Sequence, residues 1–444
     1  MANPAPAPTR LADAIVAGCF AERDGQLVIG GVTSGELARA YGTPLYVYDG
    51  ALMRVAYQRL SRAVAGFAEV YYSIKANPNP HIARIFVAAG AGLEIASGAE
   101  FQTARAAGCA PDRIVFAGPG KNPAELALTI EGGIGEIHLE SFEEIEHVAR
   151  IAARLGREVR VALRVNPTAS ARGGAMQMGG RPAPFGFDEE ILDEVLAAVD
   201  RHPKLRLGGI HVFSGTQILD HEILAAQWEH AITLAGRVAA KLSRPIETID
   251  LGGGLGIPYY AGDRDLDLAR VAEIVPPLRA RLDTDPLLRS AHVILEPGRF
   301  LTGPAGVYLM AVRCVKTSRA MRFAVCDGGM HHHLAASGNL GQVVKRDYPI
   351  VAANRMRAEP RGPCCVVGPL CTPLDTLGRN VELPELKEGN LIAVLQSGAY
   401  GLSASPAGFL SHPVPAEVLV ENGRHQAIRE RAALWQPTAA SAGA

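Results

Sequence analysis

The sequence of 444 residues lacks a long uncharged apolar run, a block of charges of one sign and any CxxC pair. No apolar segment reaches the roughly 20 residues of a membrane-spanning helix. The 44 basic and 45 acidic residues nearly balance, which argues against a nucleic-acid or membrane-surface protein. Seven scattered cysteines argue against a disulfide framework and against structural zinc. Since the N-terminal MANPAPAPTR has no apolar core, we expect no signal peptide and a cytoplasmic location.

Short apolar segments and helical segments alternate through the first two thirds of the chain. Seven helical segments are predicted at 80–90, 100–108, 122–132, 142–155, 188–201, 221–242 and 266–282. Eight strand-like segments flank them: EVYYSIK (69–75), GLEIAS (92–97), RIVFAG (113–118), EIHLES (136–141), RVALRVN (160–166), LGGIHVFSG (207–215), ETIDLGGG (247–254) and HVILEPGR (292–299). These runs are too continuous for half-exposed strands, which indicates parallel strands with helical crossovers.

Eight such units predict a (β/α)8 barrel, with an open doubly wound sheet as the alternative. Unusual polar residues cluster at the strand ends, where a barrel carries its functional groups, and this favours the barrel over 43–299. After residue 299 the strand-like segments are separated by Gly/Pro/Asp turns, which predicts a β-domain (a sandwich or barrel) over 300–435. We expect residues 1–42, with the strand-like QLVIGG, to join that domain, and residues 436–444 to be a disordered tail.

Four groups at the strand ends can carry chemistry. Lys75 either extends its ammonium to solvent or has a lowered pKa suited to Schiff-base formation. The run DLGGGLG either makes a tight turn or brings backbone N–H groups to a phosphate, a site that barrels commonly build after strands seven and eight. Glu296 and Arg299 follow the eighth strand, either as a salt bridge or beside that phosphate. His211 and Ser214 end the sixth strand.

The order and spacing of these motifs resemble the fold-type III PLP-dependent decarboxylases, the family of diaminopimelate, ornithine and arginine decarboxylases. The resemblance implies pyridoxal 5'-phosphate (PLP) as cofactor, with Lys75 as its Schiff-base lysine and His211 stacked on its pyridine ring. Glu296 would pair with the ring nitrogen, and Arg299 would contact the phosphate or a substrate carboxylate. The implied phosphate ligands are Ser214, Gly252, Gly253, Gly254 and Tyr400.

Two residues bear on the reaction. Glu296 favours decarboxylation, because a carboxylate beside the ring nitrogen stabilises the pyridinium and strengthens the electron sink. Fold-type III alanine racemases, in contrast, carry an arginine there. The motif GPLC (368–371) is similar to the family's Gly-Pro-x-Cys, which implies that Cys371 reprotonates the quinonoid in the neighbouring subunit's site. Sites shared in this way imply a homodimer.

The chain departs from its relatives around the substrate. Decarboxylases of basic amino acids carry an acid after this cysteine that binds the distal ammonium, whereas this chain has Thr372. A site without that ionic partner discriminates against such substrates. Asp375 is a candidate replacement, and His332 of the run 331–333 is a candidate for the substrate pocket. Because neighbouring side chains on a strand alternate faces, the three histidines predict no metal site.

These departures, with the segment SASPAGFLSHPVP, resemble the exosortase-associated branch of the family and decarboxylases of amino acids tethered to a carrier protein. A carrier-linked substrate lacks a free distal ammonium, in agreement with Thr372. We therefore predict PLP-dependent decarboxylation of an amino acid or of a derivative such as a carrier-linked one. The alternatives are a diaminopimelate decarboxylase of lysine biosynthesis, a fold-type III racemase and an inactive regulator of a decarboxylase.

Overall fold

The computed structural model describes residues 10–168, 176–177, 182–213, 215–342 and 344–434. Contacts divide the chain into two compact units. One unit comprises Arg54–Ile257 and Arg264–Leu301, and the other comprises the chain up to Met53, Pro258–Asp263 and the chain from Thr302 onward. The first boundary lies later than residue 42, where we expected it, because the strand Leu45–Asp49 belongs to the sheet of the second unit.

The first unit is built on eight parallel strands: Glu69–Ser73, Gly92–Ile95, Ile114–Phe116, Glu136–Leu139, Val159–Asn166, Leu205–Val212, Thr248–Asp250 and His292–Leu295. Each strand pairs with the next along the chain, and the eighth pairs with the first, with Ile294 opposite Glu69. The ring therefore closes, and the predicted barrel is confirmed over the open sheet. We refer to these strands as the first to the eighth barrel strand.

Among the described residues, seven helices connect the barrel strands at or near the predicted positions: Pro80–Ala88, Gly98–Ala106, Pro123–Glu131, Phe142–Leu155, Leu192–Asp200, His221–Leu242 and Leu268–Thr284. One further helix, Gly50–Ala63, precedes the first barrel strand and was not predicted. Capping residues in the local sequence determine where several of these helices begin and end. The Ser141 hydroxyl accepts from the backbone N–H of Glu144 at the start of Phe142–Leu155, and Gly156 ends that helix at φ 65°. The helix predicted at 188–201 begins at Leu192, because Phe187–Asp188 instead pairs with the fifth barrel strand.

The second unit is a sheet domain, in agreement with the predicted fold class. Its large sheet consists of Leu45–Asp49, Gly306–Ser318, Met321–Cys326, Ile350–Ala352, Gly362–Val367, Thr376–Leu383, Leu391–Val394, Ala416–Glu421 and Arg424–Arg429. The long strand Gly306–Ser318 pairs with three of the others, and Leu45–Asp49 lies between it and Ala416–Glu421. Buried aliphatic residues such as Val47, Leu309 and Val418 form its core.

The N-terminal segment joins this unit through a small sheet of its own. Its three strands are Ala21–Arg23, Gln26–Ile29 and Val32–Thr33, and its helices are Leu11–Cys19 and Ser34–Tyr41. The backbone N–H of Leu27 donates to the carbonyl of Ala353 at 2.7 Å. None of the helices within the described ranges combines the length and apolar character needed to cross a membrane.

Candidate active site

Lys75 directly follows the first barrel strand, within the short 3-10 turn Ile74–Ala76. Its Nζ lies 2.9 and 3.0 Å from the two carboxylate oxygens of Glu94 on the second strand. Glu94 is fully buried and also accepts from the Ser73 hydroxyl, while the Lys75 side chain is 44% exposed. Glu94 therefore orients an amine that remains accessible from solvent. We did not predict Glu94, although an acid inside the apolar run GLEIAS was a signal.

His211 and Glu296 lie together at the ends of the sixth and eighth barrel strands, with His211 Nε2 3.4 Å from Glu296 Oε2. Burial lowers the pKa of His211 to about 4, although Glu296 opposes this, so the imidazole is neutral near pH 7. Burial by itself would raise the pKa of Glu296, but its interactions with His211, His138 and Lys75 hold it well below its ordinary value. Glu296 is therefore a buried carboxylate that stays ionised.

Several polar atoms of this pair lack a hydrogen bond among the described residues, namely Glu296 Oε1 and both ring nitrogens of His211. A buried carboxylate oxygen without a donor costs free energy, so such a group in a native protein calls for an explanation. The protonated nitrogen of a pyridine ring is a donor that would satisfy Glu296. These residues therefore fit PLP.

The glycine run follows the seventh barrel strand and packs against the strands on both sides. Gly252 and Gly254 have φ of 66° and 98°, which favour glycine. A Cβ on Gly253 would lie 2.5 Å from the Glu296 carbonyl oxygen, and one on Gly254 would lie 2.8 Å from that of Gly215. The loop thus lies close to the backbone of the sixth and eighth strands. Ser214, the other predicted phosphate ligand of the barrel, lies outside the described residues.

Two further predicted cofactor ligands lie in different units. Arg299 is half-buried at the start of the short helix Arg299–Thr302. Tyr400 is half-buried in the sheet domain and has φ of 52°. A non-glycine residue in the left-handed region costs about 1–3 kcal/mol and often marks a functional site. Their roles as cofactor ligands remain predictions.

Cys371 is exposed on the loop between the strands Gly362–Val367 and Thr376–Leu383. Hydrogen bonds to Asp375 stabilise this loop. The Asp375 carboxylate accepts from the backbone N–H of Met330 at 2.6 Å through Oδ1 and from that of Leu370 at 2.8 Å through Oδ2. Thr372 Oγ1 accepts from the N–H of Leu374 at 3.3 Å. Both oxygens of Asp375 are thus engaged inside the protein, which favours a structural role over the predicted contact with a substrate.

We expect Asp375→Asn to lower the free energy of unfolding by about 1–3 kcal/mol, because an amide NH2 would replace one of two oxygens that each face a backbone N–H. Urea unfolding followed by circular dichroism measures this change. The control is Asp265→Asn at an exposed position, for which we expect no change. Equal stability of the two variants would contradict the structural role of Asp375.

The three consecutive histidines lie in a turn, and our argument from strand alternation was wrong in this respect. All three are buried. His332 has partners at both ring nitrogens: the Tyr308 hydroxyl at 3.1 Å and the Pro413 carbonyl at 3.0 Å. His333 Nε2 lies 3.0 Å from the Ser397 hydroxyl. These bonds favour a structural role for His332 over the predicted one in the substrate pocket.

A different trio, not predicted from the sequence, has the side chains of a metal site. The ligand atoms of His138, His211 and Glu296 all lie within 4.8 Å of one another and are buried. Two of the three, His211 and Glu296, are also predicted contacts of PLP. We therefore interpret the trio as the polar floor of the cofactor site, and His138 as its unpredicted member.

The family model for the pyridoxal-binding domain of pyridoxal-dependent decarboxylases matches residues 52–303, more than half of the chain. The chain belongs to this family. An L-glutamyl-[BtrI acyl-carrier protein] decarboxylase from Niallia circulans is 38% identical to it over 399 residues, which cover 89% of this chain and 92% of that protein. A diaminopimelate decarboxylase from Aquifex aeolicus is 33% identical, with coverage of 92% and 94%.

Solved structures agree over nearly the whole decarboxylase. AQ1208 from Aquifex aeolicus superimposes with a TM-score of 0.82 at 32% identity, over 95% of this chain and 96% of that one. A diaminopimelate decarboxylase from M. jannaschii reaches a TM-score of 0.85 at 26% identity, over 93% and 95%. The protein is thus a PLP-dependent amino-acid decarboxylase of fold type III, and the predicted fold, cofactor and reaction are confirmed.

Proposed function

We propose that this decarboxylase removes the α-carboxylate of an amino acid that is linked through its side chain to a carrier protein. One observation carries the proposal: the Cys371 loop offers no free carboxylate for a distal ammonium. Thr372 is the residue after the cysteine, and Asp375, the one acid of the segment GPLCTPLDTLG, is bonded to backbone N–H groups. Binding a substrate's distal ammonium beside this loop would cost free energy, because the ammonium would have no carboxylate partner. The carrier-linked substrate named for the relative at 38% identity supports the same inference.

In this proposal each residue of the cofactor site has one task. When bound, PLP supplies an electron sink for the pair left on Cα as carbon dioxide departs. The Lys75 amine would hold the cofactor, Glu296 would accept a hydrogen bond from the ring nitrogen and His211 would pack against the ring. Backbone N–H groups of the glycine run would bind the phosphate, with Ser214, Arg299 and Tyr400 as further ligands.

We also propose that Cys371 donates the proton that Cα receives and that it does so across the interface of a homodimer. Its thiol is exposed on a loop that Asp375 holds, which suits a group that reaches outside its own subunit. All seven cysteines are free thiols, in keeping with the cytoplasmic location we propose.

A carbon dioxide release assay tests the substrate. We expect kcat/KM for an L-glutamyl carrier protein to exceed that for free glutamate, diaminopimelate, ornithine or lysine by about 100-fold or more, since the site lacks the ionic partner of a free diamino acid. Thr372→Asp should raise the activity on free diamino acids, and Thr372→Asn is its uncharged control. Efficient turnover of free diaminopimelate with no activity on the carrier-linked substrate would overturn the proposal. It would favour the alternative, diaminopimelate decarboxylation. The 33% identity with the diaminopimelate decarboxylase from Aquifex aeolicus supports this alternative.

A further inference from the structure

The polar floor of the cofactor site continues into the barrel. His138 and Gly209 both pair with Ala162, so His138 lies one layer of side chains below His211. The two imidazole rings lie 4.5 Å apart between centroids and are tilted by 34°. His138 Nε2 lies 3.3 Å from Glu136 Oε1 and 3.7 Å from Asp250 Oδ2.

This layer is unusual for the interior of a barrel, which bulky aliphatic side chains normally fill. Glu136, His138 and Asp250 are fully buried. Among the described residues, no hydrogen bond reaches the ring nitrogens of His138, the carboxylate oxygens of Glu136 or Oδ2 of Asp250. Burial of such groups is costly, and well-packed apolar side chains would stabilise the fold at least as well. Packing alone therefore does not account for this layer.

We propose that His138 is a positioning residue of the cofactor site, whose polar ring lies against His211 and, together with Asp250, holds Glu296 in place opposite the cofactor's ring nitrogen. His138 has this role toward the cofactor whichever amino acid is the substrate.

The charges around His138 agree with this role. Burial and the repulsion of Glu296 hold the pKa of Asp250 well above its ordinary value, which favours the neutral form of Asp250 and disfavours a second negative charge beside Glu296. His138 attracts Glu296, which helps to lower the pKa of that carboxyl against the opposing effect of burial. On the other side, Arg160 Nε lies 3.3 Å from Glu136 Oε2, and His138 and then Arg160 keep the pKa of that buried acid below its ordinary value. The groups that act on His138 are Glu136, Asp250, His211 and Glu296, with Arg160 beyond Glu136.

Two substitutions separate polarity from packing. His138→Phe keeps an aromatic ring against His211 and removes the polar atoms, whereas His138→Gln keeps an N–H donor and removes the ring. The measurements are the Kd of the apoenzyme for PLP and the absorbance of the bound cofactor as a function of pH, so neither requires a substrate.

We expect His138→Phe to weaken PLP binding about tenfold and to move the acidic transition of the spectrum to higher pH by about one unit, because Glu296 then takes up a proton more readily. His138→Gln should stay within about threefold of the wild type in PLP affinity. Wild-type affinity and spectrum in His138→Phe would overturn the proposal. A larger defect in His138→Gln than in His138→Phe would do so too, since it would assign the role to ring packing.

Asp250→Asn provides a test that does not depend on the folding of the His138 variants. Because Asp250 is neutral in this proposal, an amide of the same shape should leave the pH dependence of the spectrum unchanged. A shifted transition would show that Asp250 carries charge beside Glu296 and would overturn the assigned balance of charges.

Discussion

Replacing Lys75 by alanine or arginine is expected to reduce decarboxylation by about 10³-fold or more, because neither side chain can form the covalent bond to PLP. Arginine is the sharper test. Its guanidinium keeps a positive charge beside Glu94 but stays protonated in proteins and is not a nucleophile. The Arg variant thus separates loss of the amine from loss of the ion pair.

Carbon dioxide release measures the activity, and mass spectrometry after borohydride reduction locates the bound cofactor. We expect a cofactor adduct on Lys75 in the wild type and in the control Lys204→Arg, whose lysine is exposed, and no adduct in either Lys75 variant. The free energy of unfolding of the apoenzyme should fall by about 1–3 kcal/mol in Lys75→Ala, since the substitution leaves an oxygen of the fully buried Glu94 without its donor. An adduct at any other lysine would contradict the assignment.

Replacing Cys371 by alanine is expected to lower kcat by about 10²–10⁴-fold, the usual contribution of a positioned proton donor. Stability and PLP affinity should stay at wild-type values, because the side chain is exposed and lies on a loop held by Asp375. The matched control is Cys314→Ala, which removes another exposed thiol on the strand Gly306–Ser318. A similar kcat in both variants would remove Cys371 from the reaction.

Mixing subunits tests whether Cys371 acts across the interface. If each site combines Lys75 of one subunit with Cys371 of the other, a heterodimer of Lys75→Ala and Cys371→Ala chains contains one intact site. Random exchange makes about half of the dimers mixed, so about a quarter of wild-type activity should return. Absence of recovery, once subunit exchange has been verified, would place the cysteine in the site of its own chain.

The sequence by itself determined the barrel and much of its helical layer. Its strands were recognisable because strands buried on both faces form continuous apolar runs. The helix Phe142–Leu155 has the predicted bounds, because its cap Ser141 and its terminator Gly156 are its neighbours along the chain. Lys75, His211 and Glu296 could likewise be selected, since each is a polar residue at or beside the end of an apolar strand.

Other features depended on residues distant in sequence. The strand Leu45–Asp49 belongs to the sheet domain only because it pairs with strands more than 250 residues later. The histidine run misled us, because a turn replaces the strand on which our argument about alternating faces depended.

Glu94 and His138 are polar residues inside strand-like segments, and we predicted a role for neither from the sequence. Their roles arise because closure of the barrel brings side chains of separate strands into one buried interior, where a charge acts strongly on its neighbours. The sequence therefore identified the groups that can act on the cofactor, while the tertiary structure decided which buried groups orient them and set their charge.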